Sequence, residues 1–202
     1  MGFPAADDFS TPRNPIGGTL LSDGVNSWVA VVGDAKAIGG ACQAVASPAL
    51  LKVNNLPTDD QWASVEGDNS GNTDRGSVAR LTDANNYYAH LAGTSPNRLY
   101  KRVAGVLTQL GSDGSGSRGD QKIVHCVGNV ISGYIYNILT LDIGPVIDSA
   151  HTGGAVGIYI GISTQEVGDF AADSLGAPVA GHGRLLDGLL EGGQLVGGRL
   201  AR

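Results

Sequence analysis

Short runs of alternating apolar and polar residues, each closed by Gly, Asn, Asp or Ser, repeat along the chain from Asp8 to about Ala172. Two clear examples are Trp28–Val32 and Gln121–Val127. A two-residue period is typical of half-buried β-strands, and the closing residues are those that turns favour. Many such strands bury their apolar faces by packing as two sheets. The pattern therefore predicts an all-β, two-sheet sandwich.

The predicted strands share this alternation and are separated by turn sequences. In Val103–Val106 and in Val127–Val130, two residues that include a glycine separate neighbouring runs, which predicts tight antiparallel hairpins. Helical periodicity is almost absent, and its nearest case, residues 44–51, is broken by Pro48. The predicted strands are Trp28–Val32, Lys36–Ile38, Ala41–Ser47, Gln61–Gly67, Ser77–Leu81, Tyr87–Leu91, Arg98–Val103, Val106–Leu110, Gln121–Val127, Ile131–Tyr136, Ile138–Asp142, Ala155–Ile160 and Val167–Ala171.

Composition excludes several classes of function. The 202 residues suffice for one all-β domain with tails, and 13 basic against 19 acidic residues give a net charge of −6. That charge opposes a broad phosphate-binding surface, so we expect no nucleic-acid partner. No apolar run approaches the roughly 20 residues of a membrane helix, and the N-terminus lacks signal-peptide features, so we expect no membrane partner.

Two cysteines, Cys42 and Cys126, are too few for a framework of disulfides, although one bridge between them is conceivable. Cys126 shares the strand parity of Val124, which favours a buried free thiol. The glycine-rich segment 111–119 is expected to be solvated and mobile. Near-repetition of Ala6–Phe9 in Gly168–Asp173 predicts that the two terminal strands of the sandwich lie together.

Several motifs keep a fixed order along the chain. They are Asp7–Phe9, Asp59–Gln61, Gly76–Arg80 followed by Asn86–Tyr88, Lys101 before Gly105, Val127–Tyr134, Gly154–Ile158 and Gly168–Phe170. Over about residues 7–173 this order resembles concanavalin A-like, laminin-G-like jelly-roll domains. The resemblance implies an antiparallel jelly-roll sandwich over residues 1–176, similar in fold to plant lectins, pentraxins and certain glucanases. Many such domains are binding modules on bacterial surface proteins and on phage tail or capsid appendages.

The chain lacks the strand with two glutamates flanking an aspartate that the resemblance would require of a glucanase. A retaining glucanase needs an acid and a nucleophile about 5 Å apart, whereas Glu66, Glu166 and Glu191 are isolated in the sequence. No nucleophile elbow precedes a helix, and the four histidines lack zinc-ligand spacing. We therefore predict a protein that is not an enzyme. The alternative is a polysaccharide hydrolase or lyase that uses Asp residues such as Asp59 and Asp60, although their position at a strand start suits turn formation.

We expect no cofactor, and calcium is the one alternative that the sequence leaves open. The loop from Asp68 to Asp74 offers oxygen ligands at alternate positions, and these two residues are the candidate metal ligands. The loop lacks the glutamate of an EF-hand at its twelfth position, where Ala79 stands, and its composition is equally that of an ordinary turn.

Binding residues are expected on strand faces. Trp62 and Glu66 share one face, while Ala63 and Val65 form a small apolar set that suits the core. Aromatic rings beside charged hydrogen-bonding groups can bind a sugar ring or a protein. The alternative is that Trp62 and Tyr88 fill the core and that Glu66 pairs with Arg80. The candidate ligand-binding residues are Trp62, Glu66, Arg80, Tyr88, His90 and Tyr100, with Arg102 beside Tyr100, Tyr88 beside His90 and Val78 beside Arg80.

The C-terminal residues 177–202 contain apolar doublets separated by glycines, a pattern that disfavours a helix. We expect a disordered end or short extended pieces that order against a partner. The residues expected to dock are Leu185, Leu186, Leu189, Leu190, Leu195 and Val196. Together with the resemblance, this tail indicates a phage virion component, a tail or capsid decoration protein that is assembled in the host cytoplasm and joins other virion proteins or sister subunits. Such a component either binds a surface glycan or is purely structural, with no glycan contact.

Overall fold

Strands account for nearly all the regular structure of the protein. The structure, a computed structural model, describes residues 5–53, 59–67, 74–92, 96–117, 119–136 and 140–175, and the backbone of 185–186 and 189–190. The strands are β1 (Ala5–Asp7), β2 (Trp28–Val32), β3 (Ala35–Ile38), β4 (Ala41–Ala44), β5 (Ala49–Val53), β6 (Gln61–Gly67), β7 (Arg75–Asp83), β8 (Asn86–Ala92), β9 (Arg98–Val103), β10 (Val106–Leu110), β11 (Lys122–Val127), β12 (Val130–Ile135), β13 (Leu141–Ile147), β14 (Ala155–Ile160), β15 (Glu166–Ser174), β16 (Leu185–Leu186) and β17 (Leu189–Leu190).

Two antiparallel sheets pack face to face, as the alternation predicts. The first sheet has the order β13-β12-β11-β6-β15-β4-β3, with β1 also paired to β15, and the second has the order β10-β9-β8-β7-β14-β5-β2. The predicted all-β, two-sheet antiparallel jelly-roll sandwich is confirmed. In the part of the chain that the structure describes, no helix has the length and hydropathy that a membrane span requires.

The core lies between the sheets and follows the parity of each strand. In β14, Val156, Ile158 and Ile160 are fully buried, whereas Tyr159 points away from them and is half-buried. Three aromatic rings fill one region of the core: the Trp28 ring lies 6.0 Å from that of Phe9 and 4.9 Å from that of Phe170, measured between centroids. The remaining fully buried core residues include Ala35, Ala37, Cys42, Ala49, Leu51, Val53, Ala63, Val65, Ala79, Tyr88, Leu99, Val124, Cys126, Ile131 and Ala172.

The terminal strands of the sandwich pair as predicted, because β1 aligns with β15 so that Ala5 lies opposite Ala172. A buried carboxylate anchors β1. Asp7 accepts hydrogen bonds at 2.7 and 2.8 Å from Arg13 Nη2 and at 2.6 Å from Trp28 Nε1. The N-terminal strand is therefore tied to the aromatic core as well as to the sheet edge.

Both predicted hairpins are confirmed. Val127 pairs with Val130 across the turn between β11 and β12, and Val103 pairs with Val106 between β9 and β10. In the second turn Ala104 and Gly105 have φ values of 48° and 84°, the left-handed region that this type of tight turn needs.

Both cysteines are free and buried, as predicted. Burial raises the pKa of Cys42 well above its ordinary value and that of Cys126 to about 12. A thiol with so little thiolate behaves as a small apolar core residue.

Two predictions of strand position are wrong. The predicted strands do not include β5. Residues 44–51 were interpreted as a weak helical pattern broken by Pro48, whereas Pro48 directly precedes the strand that begins at Ala49. The predicted strand Ile138–Asp142 lies further along the chain, at Leu141–Ile147. That strand contains Pro145. Proline has no N–H to donate and is excluded from central strands, but β13 is an edge strand and tolerates it.

A buried carboxylate anchors the glycine-rich segment. Residues 111–117 are largely exposed, but Asp142 Oδ1 accepts hydrogen bonds from the backbone N–H groups of Ser115, at 2.6 Å, and Gly116, at 3.2 Å. Asp142 Oδ2 accepts one from Asn97 Nδ2 at 3.0 Å and lies 3.3 Å from His90 Nε2. The expectation of a solvated segment therefore holds for its surface, whereas its backbone is tied to the core.

In the C-terminal region, β16 and β17 pair as a short antiparallel ribbon. These strands contain four of the predicted docking residues, Leu185, Leu186, Leu189 and Leu190. Leu195 and Val196 lie outside the described residues. The predicted docking role of the tail remains a prediction.

Candidate functional site

The six predicted ligand-binding residues lie in three different places. Trp62, which is half-buried, and Glu66, which is exposed, lie on the outer face of the first sheet, as strand parity predicts. Tyr100, also half-buried, lies on the outer face of the second sheet. The other three, Arg80, Tyr88 and His90, are inside the sandwich.

Tyr88 and His90 share a face, as predicted, but that face is the inner one, so their placement on an exposed surface is wrong. Both are completely buried. Tyr88 Oη donates a hydrogen bond to Asp148 Oδ1 at 2.6 Å and accepts one from the backbone N–H of His151 at 3.2 Å. Burial and the neighbouring Asp148 raise the pKa of Tyr88. Its ring is part of the core, which was the alternative reading for this residue.

Arg80 is also buried, contrary to its predicted position on a binding face. It has a φ of 49° at an irregularity in β7, which turns its side chain away from the face that Val78 occupies. The guanidinium donates hydrogen bonds at 2.9 Å to the backbone carbonyls of Asp59 and His151, and it lies 3.6 Å from Asp60 Oδ1. Its partners are therefore these groups, and the pair with Glu66 that was the alternative interpretation is not formed.

The outer face of the second sheet carries three tyrosines around a floor of small residues. Gly157, Val78, Ala89 and Tyr100 lie side by side in one row across β14, β7, β8 and β9. Tyr159 lies two residues from Gly157 on the same strand face. We refer to the surface formed by Tyr87, Tyr100, Tyr159 and Arg102 over this floor as the tyrosine face.

Close approach of neighbouring strands makes glycine necessary at two positions under the tyrosine face. A Cβ atom at Gly157 would lie 1.9 Å from the carbonyl oxygen of Leu51, and one at Gly76 would lie 2.0 Å from that of His90. Neither position can carry a side chain without displacing the neighbouring strand. The tyrosine rings consequently pack over backbone and small side chains, and this outer surface forms a second apolar cluster, with Leu50, Leu81 and Leu91.

Charged groups border these rings. The Arg102 guanidinium lies 5.9 Å from the centre of the Tyr87 ring, and its Nη1 donates a 3.3 Å hydrogen bond to Tyr87 Oη. Burial, followed by the proximity of Tyr87 and Asp74, raises the pKa of Tyr159. The face therefore combines the half-buried Tyr100 and Tyr159 with hydroxyl groups, a guanidinium and a carboxylate.

Asp74, a predicted metal ligand, lies near this face. It is half-buried, and burial raises its pKa against the opposing effect of Arg98. The other predicted ligand, Asp68, lies outside the described residues. Among the described residues, no group of three or more His, Cys, Asp or Glu side chains is placed to hold a metal ion. The expectation of no cofactor, with calcium as the alternative, remains a prediction.

One of the two carboxylates suggested for catalysis, that of Asp60, has structural partners. Asp60 Oδ1 accepts a 2.7 Å hydrogen bond from the backbone N–H of Gly128 and lies near the guanidinium of Arg80. This is the turn-stabilising role that its position at a strand start favours.

Sequence reasoning missed Tyr159, although a signal for it exists. In β14, Ile158 and Ile160 are two apolar residues at a spacing of two, so both face the core. Tyr159 lies between them and therefore faces outward. Its meeting with Tyr87 depends on the pairing of β14 with β7, which connects residues about 80 positions apart.

No protein-family model matches the chain, and no curated protein sequence matches it. Solved structures do. The chain is similar to the carbohydrate-binding module CBM66 from Bacillus subtilis, at 14% identity and a TM-score of 0.54, over 70% of this chain and 91% of that one. It is also similar to the GH43 protein BlXynB from Bacillus licheniformis, at 17% identity and a TM-score of 0.57, over 83% of this chain and 38% of that one. These similarities establish the fold alone, a two-sheet β-sandwich.

Proposed function

We propose that the protein is a non-catalytic carbohydrate-binding protein and that the tyrosine face is its binding surface. The observation that carries the proposal is the grouping of Tyr87, Tyr100 and Tyr159 with Arg102 over a floor of small residues. Aromatic rings pack against the apolar C–H faces of sugars, while hydroxyl and guanidinium groups hydrogen-bond to sugar hydroxyls. Similarity in fold to a carbohydrate-binding module supports the same ligand class.

Tyr100 is the residue to test, because Tyr87 is nearly completely buried whereas Tyr100 presents part of its ring to solvent. We would measure retardation of the protein in native gels that contain dextran, xylan, mannan or β-glucan. At least one polysaccharide should retard the wild type, and Tyr100→Ala should weaken that binding about tenfold.

Tyr136→Ala is the matched control, since Tyr136 is 58% exposed and lies outside the tyrosine face. It should bind as the wild type does. Equal retardation of the wild type and Tyr100→Ala would refute the assignment of the site, and no retardation by any of these polysaccharides would count against this ligand class.

The similarity to the GH43 protein favours a second candidate function, a polysaccharide hydrolase or lyase. The chain corresponds to only 38% of that protein's length, and the fold alone does not transfer its activity. Release of reducing ends or of unsaturated products from the same four polysaccharides would favour the enzyme. Retardation without product would favour the binding protein.

A finer proposal follows from the sequence resemblance to domains of phage virions: the protein is a tail or capsid component whose C-terminal residues 177–202 join it to other virion proteins or to sister subunits. Size-exclusion chromatography with light scattering directly tests whether residues 177–202 join sister subunits. Removal of residues 177–202 should leave a folded sandwich and reduce the mass of any oligomer. An oligomer unchanged by truncation would rule out self-assembly through this segment.

A further inference from the structure

The outer face of the first sheet carries a second group of aromatic residues. Trp62 on β6 lies opposite His125 on β11, and Tyr134 on β12 lies diagonally beyond it. The rings of His125 and Tyr134 meet edge to face, with centroids 5.8 Å apart and planes at 86°. All three side chains are half-buried. We refer to this surface as the tryptophan face.

A buried hydroxyl without a partner lies within the same surface. Ser64 is two residues from Trp62 on the same strand face and lies opposite Ile123, the cross-strand neighbour of Tyr134. The residue is 1% exposed, and its Oγ has no hydrogen-bond partner. Leaving a buried polar group unpaired is unfavourable, and such groups are uncommon in folded proteins. This hydroxyl is therefore still able to form a hydrogen bond with a polar ligand atom.

Carboxylates flank the rings. Glu66 is exposed on the same face of β6, and Asp173 on β15 lies opposite Trp62. Carboxylate oxygens accept hydrogen bonds from sugar hydroxyls, and ring faces pack against sugar C–H groups. A phosphorylated or sulfated ligand would be repelled by the same two carboxylates. The surface therefore fits an uncharged saccharide.

We propose that the tryptophan face is a second carbohydrate-binding surface, so that one chain binds two saccharides and cross-links polysaccharide. The tyrosine and tryptophan faces are the outer surfaces of opposite sheets, and these point away from each other in a sandwich. Two sites in this arrangement cannot be filled by adjacent units of one short oligosaccharide. The ligand class rests on the proposed function, whereas the existence of this site rests on the geometry of the first sheet.

Tryptophan fluorescence reports on this face directly. The chain has two tryptophans; Trp28 is completely buried in the core, so a ligand that stacks on the surface alters the emission of Trp62. The probes are hexasaccharides prepared from dextran, xylan, mannan and β-glucan. At least one should change the emission of the wild type. It should still change that of Tyr100→Ala, whose substitution lies on the opposite sheet.

Calorimetric titration with the same hexasaccharide gives the number of sites. The wild type should bind about two molecules per chain, and Trp62→Ala and Tyr100→Ala about one each. Trp62→Phe keeps a ring and should weaken the second site without removing it, which separates a lost contact from a misfolded variant. Ile38→Ala is the control on the same sheet, because Ile38 is 55% exposed and lies on β3, away from these rings.

The two proposals fail in different ways. Tyr100-dependent binding of one hexasaccharide per chain, with tryptophan emission unchanged, would overturn the second site and leave the proposed function standing. If the emission changes persist in Tyr100→Ala and no binding depends on Tyr100, the tyrosine face is overturned as a binding surface and the second site stands. A change in oligomeric state on Trp62→Ala, with saccharide binding unaltered, would assign the tryptophan face to a protein partner and overturn the inference.

Discussion

Replacement of Asp142 by asparagine tests how strongly the interior of the sandwich depends on one carboxylate. The side chain is completely buried. Its Oδ1 accepts hydrogen bonds from Ser115 and Gly116, and its Oδ2 faces Asn97 and His90. Asparagine has the same shape but only one acceptor oxygen, so its amide nitrogen must face one of these two pairs of donors.

The magnitude follows from this geometry. A buried group that loses its hydrogen-bond partner is unfavourable by about 1–3 kcal/mol. Asn97 and His90 are buried whereas Ser115 is exposed, so the asparagine amide either faces two buried groups or leaves Gly116 and the exposed Ser115 without their acceptor. We expect a loss of about 2–4 kcal/mol, out of a total stability of about 5–15 kcal/mol.

The assay is unfolding in urea followed by tryptophan fluorescence, since Trp28 is completely buried in the folded state. The midpoint should fall while the m-value stays the same, because the same surface is exposed on unfolding. Asp169→Asn is the matched control, as Asp169 is exposed. A loss below about 1 kcal/mol for Asp142→Asn would show that the fold does not depend on this carboxylate.

The pH dependence gives a second reading of the same variant. Burial raises the pKa of Asp142, but hydrogen bonds from His90, Asn97 and the Ser115 N–H outweigh it and hold that pKa well below its ordinary value. The carboxylate therefore stabilises the fold fully above the unfolded pKa of about 3.9, and this contribution declines as the pH falls below that value. The difference in stability between the wild type and Asp142→Asn should narrow below about pH 4.

Three further predictions follow from buried residues. Gly157→Ala should destabilise the fold by at least about 2 kcal/mol in urea unfolding, because its Cβ would meet the Leu51 carbonyl oxygen at 1.9 Å; unchanged stability would contradict the close strand approach. Cys42 and Cys126 are buried thiols with raised pKa values, so an Ellman assay at about pH 8 should find none reactive in the native protein and both after denaturation; rapid native reaction would contradict their burial. Tyr88→Phe loses two buried hydrogen bonds and should destabilise the fold by about 1–3 kcal/mol while leaving saccharide binding unchanged, and weaker binding by the folded variant would contradict its place in the core.

The side of the sheet on which a residue lies was predictable only where the residues on the two faces of a strand differ in polarity or size. In β6, small apolar Ala63 and Val65 contrast with Trp62 and Glu66, and the outward direction of Trp62 follows. In β8, by contrast, Tyr87–Ala92 are buried on both faces, so alternation groups Tyr88 with His90 but cannot say which way they point. Arg80 was misplaced for another reason, a local irregularity in β7 that breaks the two-residue period.

The candidate sites depend on strand pairing, which local patterns do not contain. The predicted pair Tyr100 and Arg102 becomes part of a larger surface only because β14 pairs with β7 and so places Tyr159 on the same sheet face. Trp62 likewise becomes part of an aromatic group only because β11 places His125 opposite it. Hairpin partners such as β9 and β10 were predictable because their turns are short. The pairings of β14 with β7 and of β6 with β11 join distant segments and are fixed by the assembly of the whole sandwich.

Saccharide binding on the outer surface of the second sheet can be followed residue by residue in two-dimensional 1H–15N correlation spectra, recorded as a hexasaccharide from the retarding polysaccharide is added. We expect the largest shifts to include residues 76–78, 87–91, 98–102 and 157–159, and we expect Tyr100→Ala to remove them. Saturable binding that leaves all of these amide signals in place would contradict binding at this surface.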